Sequence, residues 1–138
     1  MTVDVFPTWL PIAPEPTTPV DVFAVLPAGT AELDRLYAEL WESGLDRSTL
    51  EVCQARINTM ISGRAAAPEP EPETDAQRAA LGFAEQFVLD PHGCTDEQMH
   101  ALQRFFSASQ LATLTTAIAV FDALARVRAV LSLTEEDS

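Results

Sequence analysis

The sequence predicts an all-α domain of five main helices preceded by an extended, proline-rich arm. Apolar residues recur at the three, four and seven spacing of a single helix face. Three of the apolar segments open on Ser/Thr-x-x-Gln, the pattern in which a cap hydroxyl and a glutamine satisfy the orphan donors of a helix start. No segment sustains the period-two alternation of a half-buried strand.

The arm covers residues 1–28. Pro7, Pro11, Pro14, Pro16 and Pro19 remove backbone donors and hold φ near extended values, which forbids a long helix. Val5, Phe6, Trp9, Leu10 and Ile12 are nevertheless apolar, so the arm is expected to lie against a surface, its own or that of a partner subunit.

The helical domain is expected over 29–133. Thr30 caps a first helix whose face carries Leu33, Leu36, Tyr37, Leu40 and Trp41, and Gly44 closes it. Asp46 caps a second, with Leu50, Cys53, Ile57, Met60 and Ile61 on its stripe and Gly63 as its stop. Residues 65–73, AAAPEPEPE, read as a solvated linker, because proline breaks the helix and like charges repel. Thr74 with Gln77, Thr95 with Gln98 and Ser107 with Gln110 then open three further helices. The first presents Ala80, Leu81, Phe83, Ala84, Phe87 and Val88 and ends before Pro91. The second presents Met99, Leu102, Phe105 and Phe106. The third runs from about Ala108 to Leu131 with Leu111, Leu114, Ile118, Phe121, Leu124 and Val127 on one face. Residues 134–138 form an acidic tail, disfavoured at a helix C-terminus.

With 138 residues, 47% of them hydrophobic, the chain fills one domain with a packed core. Its formal charge is −13, from 21 acidic residues against 8 basic ones, all arginine. Phosphate repulsion then argues against nucleic acid and against an anionic membrane surface as partners. No basic residue precedes Arg35, so a signal peptide is not expected, and no apolar run approaches the ~20 residues of a bilayer span. A soluble, cytoplasmic protein is the expectation. Cys53 and Cys94 lie far apart, which suits free thiols in a reducing compartment rather than a disulfide scaffold or a zinc site. His92 and His100 lack carboxylates at ligand spacing, so no metal and no cofactor is expected.

Local chemistry concentrates at DPHGC. Cys94 precedes the Thr95 cap, where a helix dipole lowers thiol pKa, and His92 is near enough in sequence to stabilise a thiolate. The competing reading is a structural turn, with Pro91 ending one helix and Gly93 supplying an unusual φ. Cys53 sits on an apolar stripe and reads either as a small buried hydrophobe or as a lone reactive thiol. Asp122 and Arg126 form an i,i+4 pair, and His100 reads as solvated.

Two stretches together resemble the AhpD / carboxymuconolactone decarboxylase family. Residues 33–63, LDRLYAELWESGLDRSTLEVCQARINTMISG, are similar to the helix pair that leads into its Cys-x-x-Cys motif. Residues 77–131 resemble the helix, turn and two helices that follow, most tellingly in RAALGFAEQF, TDEQ and FDALAR. The two cover about three fifths of the chain. The resemblance implies an all-α fold assembled into dimers, trimers or hexamers, with peroxide reduction through the paired cysteines or, in decarboxylase members, acid–base chemistry.

Carried over residue by residue, the resemblance matches Glu51 to a family glutamate. The two sulfur positions fall on Gly63 and Ala66, and the following family histidine falls in the Pro-Glu segment, which has none. Thiol peroxidase chemistry needs a low-pKa thiolate beside a resolving thiol, and this chain offers no adjacent pair. The leading expectation is therefore an oligomeric accessory or small-ligand-binding protein without that activity. The alternatives are an acid–base enzyme using Glu51 with His92, and a one-Cys peroxide reductase using Cys94 or Cys53 with an external thiol. Glu51 reads either as a general acid or base or as one half of a structural ion pair, for which Arg56, five residues on, is a candidate partner; in both readings it is not expected to be freely solvated.

Overall fold

The first helix, α1, spans Thr30–Trp41 in the computed structural model, which describes residues 30–63 and 69–130. The expected arm, residues 64–68 and the acidic tail lie outside the described residues. Only the C-terminal half of α1 engages the core: Leu40 is buried and Tyr37 and Trp41 pack against it, while Leu36 is exposed despite its place on the stripe.

Gly44, at φ +95°, makes the turn that lets the chain double back. Helix α2 spans Arg47–Ser62. The Arg47 guanidinium lies 4.9 Å from the Trp41 ring centroid, and two turns on the Gln54 amide donates to the Tyr37 hydroxyl at 3.0 Å. Gly63 ends α2 in the left-handed conformation expected of a glycine stop, its N–H donating to the Thr59 carbonyl.

Helix α3 spans Asp75–Leu89, a 3-10 turn covers Pro91–Gly93, and α4 and α5 span Asp96–Gln103 and Ala108–Val130. The fold is all-α with five helices, and no strand occurs among the described residues. Each of the three Ser/Thr caps accepts from the backbone N–H of its glutamine, but the return bond varies. Gln110 completes the box by accepting from Ser107 N–H, and Gln77 accepts instead from Glu73 N–H, one residue further back.

Helix α2 is the hub, packing most extensively on α5 and then on α3. The largest fully enclosed side chains of the core are Leu50, Cys53 and Ile57 on α2, Leu102 on α4, and Leu114, Ile118 and Phe121 on α5. Burying an aliphatic or aromatic residue of this size contributes about 1.5–3 kcal/mol, so this set dominates stability. Phe106 joins the core and Phe105 is exposed, because α4 stops at Gln103 and the following turn no longer keeps helical register.

Helix α5 departs from one expectation. By length and composition it is long and apolar enough to cross a bilayer. Its alanines and threonines dilute the bulky residues, which hides the run when only large hydrophobes are followed along the sequence. One side of the helix, with Leu114, Ile118 and Phe121, is buried in this fold.

Candidate functional site

The two thiols occupy different environments. Cys53 faces the α2–α5 core with no exposed surface. Burial, reinforced by the nearby Glu85 carboxylate, pushes its pKa up to about 12. At pH 7 such a thiol is ionised in only about one molecule in 10⁵, which leaves it a buried hydrophobe rather than a nucleophile.

Cys94 follows the Pro91–Gly93 turn and packs partly against the core. The position before α4 suggests a lowered thiol pKa, yet desolvation and then the Asp90 carboxylate raise it. Asp90 belongs to the turn itself, its Oδ1 accepting from His92 N–H at 3.1 Å. The motif that brings a histidine near Cys94 therefore also brings an opposing charge. Cys53 and Cys94 are both free.

Gly93 serves the turn in a different way from that expected. Its φ is not left-handed. A Cβ there would collide with the Gln86 amide, which donates to the Asp90 carbonyl at 2.8 Å and closes the end of α3. Close approach, not backbone conformation, favours glycine.

Glu51 lies on the outer side of α2. Its side chain is 50% exposed and pairs with Arg47 at 3.4 Å, an i,i+4 surface ion pair. The expected withdrawal from solvent and the expected bond to Arg56 are thus both corrected. Spacing explains this: Arg47, one turn back, shares the face of Glu51, whereas Arg56, five residues on, is rotated toward α3. His92 and His100 are exposed, and Glu51 and His92 share no hydrogen bond or ion pair. Among the described residues no group of three or more His, Cys, Asp or Glu is placed to hold a metal ion.

Two polar clusters join α2 and its start to α3. Arg56 bonds Glu69 at 3.2 Å and Glu85 at 2.5 Å, tying α2 to α3 and to the Pro-Glu segment. Residues 69–73 are therefore docked rather than freely solvated: Glu69 is only 22% exposed and Glu73 N–H bonds the Gln77 side chain at 2.7 Å. In the second cluster, Gln77 donates to Asp46 Oδ2 at 3.0 Å, and the Thr49 hydroxyl donates to the same oxygen at 3.2 Å. Asp46 occupies the cap position of α2 without a side-chain cap bond. The Gln77 amide first, and the Thr49 hydroxyl after it, hold its carboxyl below the usual range, with desolvation opposing them. Thr49 and Gln77 are the buried polar side chains of the core. Asp46, read as the cap of α2, and the glutamine of the Thr74 capping pattern are the members of this cluster that the sequence singled out.

Comparison of the chain with protein-family models, curated proteins and solved structures finds no match.

Proposed function

We propose that this chain is a degenerate AhpD-like protein that carries no thiol peroxidase activity and acts as an oligomeric accessory or small-ligand-binding protein. One observation carries the reading: both thiols are held in the protonated form, Cys53 by full burial and Cys94 by partial burial beside Asp90. Peroxide reduction runs through a thiolate, so raising both thiols works against it. The all-α fold of five helices agrees with the family resemblance, and the free cysteines agree with a reducing, cytoplasmic setting. With one side of α5 given to the core, that helix is read as a core helix rather than a membrane span.

The acid–base alternative gains nothing from the geometry, since Glu51 is paired with Arg47 at an open surface and shares no contact with His92. The one-Cys alternative is tested directly. Peroxide consumption in the presence of a small external thiol is expected to equal the protein-free rate and to be unchanged by Cys53→Ser and Cys94→Ser. Consumption above that rate, lost in either variant, contradicts the proposal.

A further inference from the structure

Residues 69–73, EPEPE, are joined to α2 and α3 by polar contacts, and none of the five is buried. Two catches hold them. At one end the Glu69 carboxylate accepts from Arg56 Nε at 3.2 Å, while Glu85 of α3 holds the same guanidinium through its NH1. At the other end Glu73 N–H donates to Gln77 Oε1 at 2.7 Å. Gln77 is buried and its Nε2 donates to Asp46, so the amide that receives Glu73 is itself held in orientation. Between the catches the backbone is stiff. Pro70 and Pro72 fix their own φ, and each disfavours the helical region for the glutamate before it, Glu69 and Glu71.

We propose that residues 69–73 are a salt-sensitive strap that lifts from α2 and α3 as one unit while the helical core stays closed, with Arg56 and Gln77 as its two catches. Each catch is weak alone. The ion pair is partly solvated, its side chains 37% and 22% exposed, and the other catch is a single neutral hydrogen bond. A flexible chain would release one and keep the other. The two prolines make the catches cooperative, because swinging Glu69 away from Arg56 turns the Glu73 N–H out of line with Gln77 Oε1. Ionic strength is the trigger that the contacts favour. Salt screens the partly solvated Arg56–Glu69 pair and does not act on a neutral amide bond, so it reaches the Glu73 catch only through the stiff segment. Lifting gives Glu69, Glu71 and Glu73 to water as a row of like charges and leaves Arg56 to Glu85.

The test is hydrogen exchange at single amides of the full-length chain by NMR, comparing Glu73 with Ile118 in the buried side of α5. The Glu73 amide is expected to be protected at low salt. In about 1 M sodium chloride, where the screening length falls to roughly 3 Å, it is expected to exchange about two- to fivefold faster with no matching change at Ile118. Glu69→Gln is expected to give the faster rate already at low salt and to remove the response to salt. In the reverse direction, Gln77→Ala is expected to speed exchange of the Arg56 Nε–H relative to Ile118, although it leaves both partners of Arg56 in place. A Glu73 amide that is unprotected in the wild type overturns the proposal, because the strap is then not closed. Protection that is the same at both salt concentrations and in Glu69→Gln overturns it, because the catches then act singly. Glu73 and Ile118 accelerating together overturns it too, because the segment then opens only with the core.

Discussion

Gln77 Nε2 donates to Asp46 Oδ2 at 3.0 Å, joining the start of α3 to the start of α2 across 31 residues of sequence. The same glutamine accepts from Glu73 N–H, so one side chain closes a helix cap and a tertiary contact together. Gln77→Ala leaves that N–H and the Asp46 carboxylate short of a partner. A loss of about 1–3 kcal/mol is expected from urea unfolding.

Asp46 gives this joint an acid-side dependence. Its carboxyl is held below 3.8, so the stability it supplies is present above that value and is lost as pH falls through the lower, folded-state value. Asp46→Asn is expected to flatten the dependence of unfolding free energy on pH below about 4, measured by denaturant titration across that window.

Cys53 acts at the opposite end of the pH scale. With its pKa raised from 9.0 to about 12, the thiol is neutral in the fold while the unfolded chain ionises. Stability is therefore lost as pH rises across that interval, by up to about 4 kcal/mol from this group alone. Cys53→Ala is expected to lose about 1–2 kcal/mol at pH 7 for the vacated volume and to show a shallower alkaline slope than the wild type.

Arg56 holds the Pro-Glu segment to the helices. Arg56→Ala releases Glu69 and Glu85 together. Both contacts are partly solvated, so a global cost of about 1 kcal/mol is expected. The local effect is expected to be larger, with hydrogen exchange at Glu69, Glu71 and Glu73 accelerating severalfold while the α5 core stays protected. Unchanged exchange there would show that the segment is held by something else.

Helix existence was legible in the sequence because apolar periodicity and capping chemistry are local. Thr74, Thr95 and Ser107 could be read as caps, and Gly44 and Gly63 as stops, from a few neighbouring residues each. The site was less legible, because which charge faces which depends on the packing of α2 against α3. Arg56 is near Glu51 in sequence yet meets Glu69 and Glu85 in space. The same limit applies at Cys94, where proximity to a helix start suggests activation, while Asp90 and partial burial reverse the sign. The Pro-Glu segment reads as repelling from composition alone, and a single arginine on another element docks its second half.

Gly93 is testable through a double-mutant cycle. Gly93→Ala forces the Gln86 amide away from the Asp90 carbonyl, at an expected cost of about 0.5–1.5 kcal/mol. In a Gln86→Ala background the same substitution is expected to be nearly neutral, which assigns the cost to that one contact. Equal costs in both backgrounds would point to backbone strain instead.

The central claim is that neither sulfur is poised as a thiolate, and the rate of alkylation of Cys94 by iodoacetamide as a function of pH, followed by mass spectrometry on the native full-length chain, tests it most directly. The expected profile has its inflection above the ordinary thiol value of 9.0, with Cys53 unmodified throughout the neutral range. An inflection for Cys94 near or below neutrality would contradict the account.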